Sequence, residues 1–352
     1  MKIQTKTLLQ AIDKFDLTEA KKNKLLNVIK IESINNKLRL SYYDFSYIDI
    51  VIDCETSDNF IIEVDALKLT KFIKTIKSDT IILLLDRDNL KINNYSIQIN
   101  GELVMQNHCQ HLQELSFDKI LEINSNQFIS MLNQVKEGMS TDKYRINLNG
   151  VNINNKNNKL NLVSTSGHVL MIKTQDIDIK AIDEIIPSLE VKKIIKIFKN
   201  NQLLTISLCE KRIKIKSDNI TFISCLIDDE YPGYVKILSV AGGEAIKINR
   251  KELLAITKEA LAVTTDGHNS TIFDFQDNLL EVKVIEQDQI KYINKMAIDG
   301  LTNVKIGFNA KLMLKMLKSI EGDIIAFKIK DAVSAMSIES DNFTGLIMPI
   351  RI

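Results

Sequence analysis

The side chains whose type and spacing could do chemistry in this sequence are, above all, lysines that recur at a fixed interval. Lys71, Lys193 and Lys315 lie 122 residues apart, as do Lys74, Lys196 and Lys318, and again Lys14, Lys136 and Lys258. Lysine carries a compact charge on a flexible stem, which suits phosphate oxygens and reads base edges poorly. Such residues give a sequence-independent grip on a polyanion, and contacts of nearly equal energy at every phosphate permit sliding. One lysine face on an amphipathic helix is ordinary solvated surface. Three copies in register are what argue for a shared ligand, because surface charge alone would be free to scatter.

Other constellations fail as reaction centres. Thr165-Ser166-Gly167-His168 sets hydroxyls beside an imidazole, but no nucleophile elbow or orienting carboxylate accompanies it. A hydrolase using His168 is therefore the weakest of the competing readings. His108-Cys109-Gln110-His111 offers three potential metal ligands and lacks a fourth at suitable spacing. Asp228-Asp229-Glu230 reads as solvated loop charge that offsets the lysines. No Gly-Lys-Ser/Thr phosphate loop and no dinucleotide glycine turn occurs. The expectation is a non-catalytic protein with no cofactor, no metal and no ATPase activity of its own.

The elements that position the lysines repeat with them. In Leu67–Lys77 the apolar residues Leu69, Phe72, Ile73 and Ile76 share one helical face, opposite Lys71 and Lys74. The same stripe returns as Val191, Ile194, Ile195 and Phe198, and as Met313, Met316, Leu317 and Ile320. A strand-like run follows each helix, at Ile81–Leu85, Leu203–Ser207 and Ile325–Ile329. Each repeat has an earlier amphipathic segment, at Leu8–Phe15, Phe128–Met139 and Leu253–Val263, whose apolar phases agree less well, so Lys14, Lys136 and Lys258 weigh less. Between the helices lie β-prone stretches: Leu38–Tyr42, Leu160–Ser164 and Leu280–Val284. These features predict three α+β domains near residues 1–120, 121–240 and 241–352, each with two helices on antiparallel sheet.

Composition fits this reading. The chain has 352 residues, 46 Lys+Arg against 45 Asp+Glu, a formal net charge of +1 and 45% hydrophobic residues. That excludes a disordered tail and a histone-like, uniformly basic binder. Four cysteines stand far apart without a Cys-x-x-Cys pair, and no apolar run approaches a membrane span. A soluble, cytoplasmic protein with reduced thiols and no membrane partner is expected.

Several short segments then carry a family resemblance along nearly the whole length. Leu162-Val-Ser-Thr-Ser-Gly-His-Val-Leu170, Leu226-Ile-Asp-Asp-Glu-Tyr-Pro-Gly-Tyr234, Gly307-Phe-Asn309 and Ile347-Met-Pro-Ile-Arg-Ile352 resemble, in order and spacing, segments of the bacterial DNA polymerase β sliding clamps, which are processivity factors. The resemblance implies three clamp domains per chain and a head-to-tail dimeric ring with helices lining the hole. It implies that the lysines face double-stranded DNA and that closure of the ring, rather than affinity, gives retention. It further implies an apolar peptide groove between the second and third domains that tethers the replicative DNA polymerase, an ATP-driven clamp loader and other replication and repair proteins.

By the family pattern the groove maps to Arg145, Leu148, Thr165, Gly167, His168, Val169, Leu170, Pro232, Lys236 and Ile237. From the third domain come Asn309, Leu312, Val333, Ala335, Leu346, Ile347, Met348, Pro349, Ile350, Arg351 and Ile352. Dimer contacts would join Asn93–Asn100 to the third domain's first helix and edge, with Val263 and Thr264 as candidates. The chain departs from the family pattern at Ser166, Val169 and Leu312, which alters the chemistry of the groove rim. A runner-up reading keeps the fold and the groove but gives the protein a weak hold on DNA.

Overall fold

The structure is a computed structural model that describes the chain except residues 57, 58, 101, 102, 104–108, 110, 113, 178, 200, 239–241, 266, 268 and 288. His108 and Gln110 of the candidate ligand cluster lie outside the described residues. The fold is α+β, and the described strands form three antiparallel sheets. The chain divides into two compact units, Met1–Ile129 with Lys192–Leu226, and Ser130–Val191 with Ile227–Ile352.

The first unit holds an eight-stranded sheet in the order Phe60–Asp65, Val28–Ile34, Lys37–Tyr43, Ser46–Asp53, Ile220–Cys225, Arg212–Lys216, Leu203–Cys209 and Asp118–Asn124. At its centre Ser46–Asp53 pairs with Ile220–Cys225, so segments far apart in sequence form one ladder. A four-stranded sheet, Lys2–Gln4, Thr80–Asp86, Asn89–Ile92 and Tyr95–Gln98, completes the described strands of the unit. The helix Ala66–Ile73 buries Leu69 and Ile73, and Phe72 stacks on Tyr95 with ring centroids 4.0 Å apart. Asp65 caps it by accepting from the Lys68 amide at 2.7 Å. Such a cap stabilises by about 1 kcal/mol.

The second unit holds ten strands, in the order Asp183–Pro187, Gly150–Asn154, Leu160–Thr165, Val169–Gln175, Phe343–Ile347, Met336–Ser340, Ile324–Lys328, Ala245–Asn249, Gln289–Asn309 and Ser270–Glu286. The last two form one long hairpin on which the helix Arg250–Val263 packs, with Leu253, Ile256 and Ala260 buried. The helix Ala310–Ser319 buries Met313, Met316 and Leu317, and Asn309 caps it through the Leu312 amide at 3.0 Å.

Three helices, Ala66–Ile73, Ser188–Ile197 and Ala310–Ser319, begin 122 residues apart, matching the interval of the lysines. The earlier helices differ from the sequence expectation. The first runs over Thr5–Ile12 rather than Leu8–Phe15. The second runs over Ser125–Val135 and then tightens into a 3-10 turn at Lys136–Gly138. There Gly138 lies against the Ser164 hydroxyl, where a larger side chain would collide. The stretch expected at Leu280–Val284 proves to be part of the 17-residue strand Ser270–Glu286.

Candidate nucleic-acid interface and peptide groove

In the first unit the repeated lysines do not share one fate. Lys71, Lys74 and Lys196 are exposed. Lys74 pairs with Asp13 at 2.8 Å, in the open. Lys14 reaches the last residue of the helix Ser188–Ile197, and Lys196 reaches Phe15, three residues past the helix Thr5–Ile12. Lys14 Nζ donates to the Ile197 carbonyl at 2.5 Å, and Lys196 Nζ donates to the Phe15 carbonyl at 3.0 Å. The Ile197 carbonyl is one that a helix end leaves without an internal partner, and a cation there satisfies it. Burial lowers the pKa of Lys14, and the nearby charges of Lys199 and Lys196 push it the same way. Burial likewise lowers Lys196, partly opposed by Asp16 and Asp13.

Lys193 corrects the expectation that all these lysines face a polyanion. Its ammonium lies 2.8 Å from Asp44 Oδ1 and donates to the Ser46 hydroxyl at 2.8 Å, with side-chain exposures of 11% for Lys193 and 2% for Asp44. An ammonium desolvated against a buried carboxylate is not available to phosphate. Asp44 lies 149 positions away, beyond the reach of any local sequence pattern. Lys199 is the cation the periodicity passed over. It lies three residues beyond Lys196 and lines a crevice of about 400 Å³ together with Lys14, Lys196, Gln10 and Asn219.

In the second unit Lys258 and Lys318 are exposed, while Lys136 and Lys315 are half-buried. Lys136 donates to Asn133 at 2.8 Å, and Lys315 lies 3.7 Å from Glu137, a loose ion pair that water can replace.

All the residues mapped to the groove fall in the second unit. Thr165 and Leu170 face each other across a two-strand turn whose tip is Ser166–His168. The Thr165 hydroxyl donates to the Val169 carbonyl at 2.6 Å and accepts from the Gly167 amide at 3.1 Å, so it closes the turn instead of acting as a nucleophile. Gly167 has φ +87, and a side chain there would strike the Arg145 guanidinium, which is held by Asp142 at 2.9 Å. The amide of Tyr144 and the Arg145 side chain keep the Asp142 carboxyl below its usual range.

Beside the turn, Val169 and Leu170 pair with Ile347 and Leu346. Leu170 and Leu346 join Val163, Ile172 and Tyr234 in one apolar cluster. Tyr234 is the peg of the loop that presents Pro232, Lys236 and Ile237, all exposed. Tyr234 is 4% exposed, and its hydroxyl accepts from the buried Asn154 amide at 3.1 Å. Asn154 in turn donates to Asn152 and accepts from Asn161. Sequence reading missed this asparagine network, because only the fold reveals that Asn152 and Asn154 are buried.

Ala335 is buried next to Met336, the partner of Ile347, and Val333 is 80% exposed. Leu148 is buried. Asn309 and Leu312 are joined through the helix cap. Met348, Pro349, Ile350, Arg351 and Ile352 continue beyond the strand, with Met348 and Ile352 exposed. Of the residues expected at a dimer contact, Val263 ends its helix at 36% exposure, and the Thr264 hydroxyl donates back to the Leu261 carbonyl. Among the described strands, Tyr95–Gln98 and Ser270–Glu286 are the end strands of their sheets.

Residues 122–233 match the family described as DNA polymerase III beta subunit, central domain. The chain is 24% identical to the beta sliding clamp of Rickettsia bellii, over 99% of both chains. It is 25% identical to that of Bacillus subtilis, over 68% of this chain and 67% of the relative. Among solved structures, the DNA polymerase sliding clamp from Pseudomonas aeruginosa superposes with a TM-score of 0.90 at 18% identity, covering 100% of this chain and 99% of that one. A sliding clamp from Bartonella birtlesii bound to griselimycin superposes with a TM-score of 0.87 at 18% identity, covering 100% and 99%. At such identities these structures establish the fold, while the central-domain match and the full-length sequence similarity reach further. Residues 122–233 thus match the beta subunit's central domain, and the chain along nearly its whole length is similar to bacterial beta sliding clamps.

Proposed function

We propose that this protein is a DNA sliding clamp, a non-catalytic processivity factor that holds a replicative polymerase on duplex DNA without reading sequence. The observation that carries the reading is similarity to beta sliding clamps along 99% of the chain, on a fold whose lysine-bearing helices recur at a constant interval. Its three domains, near 1–120, 121–240 and 241–352, would close with a second copy into a ring in the cytoplasm, opened by an ATP-driven loader. Exposed Lys71, Lys74, Lys196, Lys258 and Lys318 are the cations best placed to meet phosphates. Partner proteins would insert apolar side chains beside Leu170, Leu346 and the Pro232–Ile237 loop. The test is topological: after loading, the protein should stay on nicked circular DNA and leave when the circle is cut. Equal loss from both would refute the clamp reading.

A further inference from the structure

The closing segment Met348–Ile352 is stitched to two different parts of the unit. The Met348 amide donates to the His168 carbonyl at 2.9 Å, and the Ile350 amide donates to the Gly307 carbonyl at 2.8 Å. Pro349 between them has no amide hydrogen, so the segment has one stitch to each side. Gly307 lies in the hairpin strand Gln289–Asn309, opposite Ile272, with Ile306 and Phe308 buried on either side. Its φ is not in the left-handed region, so glycine is not required there by backbone conformation. What glycine permits is close approach: a Cβ at 307 would come within 2.8 Å of the Ile350 carbonyl oxygen and nearer still to Ile352 Cγ2.

From this notch we infer that Gly307 is a positioning residue for the peptide groove, fixing Met348–Ile352 as a preformed wall that would otherwise swing free. The inference rests on the groove reading above. A wall already in place spares an incoming peptide the cost of ordering it, and that saving appears as affinity. Ile350 and Ile352 then act as fixed apolar surface although Ile352 is largely exposed. The residue bears on specificity as well, because a wall held on Gly307 sets how wide a side chain the groove accepts.

Gly307→Ala tests this, since alanine suits an extended strand and its methyl meets chiefly the closing segment. Three forms are compared with wild type: G307A, a chain lacking Ile350–Ile352, and the two changes combined. Binding is read with the fluorescent peptide Ser-Leu-Ser-Leu-Phe, and the Ile350 amide is followed by hydrogen exchange in the forms that retain it. G307A should speed exchange at Ile350 by at least about tenfold and weaken peptide binding on the order of tenfold. In the shortened chain, adding G307A should change neither affinity nor melting temperature, because the methyl then has nothing to displace. A G307A effect of equal size in the shortened chain would make the residue merely structural and overturn the inference. Unchanged exchange at Ile350 would also overturn it, as would faster exchange with unchanged binding. A wild-type protein that ignores the peptide overturns the groove reading itself.

Discussion

At the residue scale, Lys193 and Lys71 occupy one register of the repeat and do different work. Lys193→Met leaves the Asp44 carboxylate, 2% exposed, without its cation, which should cost about 3–5 kcal/mol of stability. Lys71→Glu, at an exposed position, should change stability by less than about 0.5 kcal/mol. Urea melts of the two variants check the contrast, and similar midpoints would show that the Asp44 pair is not a structural lock. The register of the lysines was legible in sequence because a helix with one apolar stripe fixes which side faces out. Which of those outward lysines meets a buried acid depends on the turn carrying Asp44 and Ser46, and nothing local to Lys193 encodes that turn.

At the element scale, the positions of the later helix of each repeat followed from the apolar stripes, but the bounds of the earlier helices and the pairing of distant strands did not. Ser46–Asp53 finding Ile220–Cys225, and Val169–Gln175 finding Phe343–Ile347, are registers decided by the assembled core. Among the residues proposed for the groove, Gly167, Leu170 and Leu346 stand in recognisable sequence motifs. The Tyr234–Asn154 anchor was not legible, because asparagine reads as a turn or surface residue until its burial is seen. Asn154→Ala should cost about 1–3 kcal/mol by leaving its buried partners unsatisfied. It should also loosen the Pro232–Ile237 loop, measurable as faster exchange at the Ile237 amide, which donates to the Tyr234 carbonyl.

The long hairpin carries its own pH signature. Lys283 and Lys295 bond the Glu281 carboxylate and hold its pKa below the ordinary value of 4.5. A carboxyl with a depressed folded pKa contributes stability above its unfolded value and loses it as pH falls through the folded one. Wild type should therefore exceed Glu281→Gln in stability near neutral pH, and the gap should close below about pH 4.5. A gap that persists into acid would assign the difference to packing.

At the scale of the whole molecule, retention and grip are separable, and the proposed function requires both to be measured. The chain mass is 40.0 kDa, so the ring reading expects twice that mass in solution near micromolar concentration. In the ring reading, weak, exchangeable interactions would hold the duplex centred while closure prevents escape, so the lysines should govern salt dependence more than residence on a circle. Reversing Lys71, Lys258 and Lys318 together should flatten the logarithmic salt dependence of DNA binding by roughly 0.9 for each phosphate no longer neutralised. The same protein, once loaded, should still be released from nicked circles only slowly and from linear DNA at once. If charge reversal instead makes it leave circles as fast as linear DNA, affinity rather than topology keeps it on its track. The spacing of the lysines would then reflect a binding surface of ordinary kind.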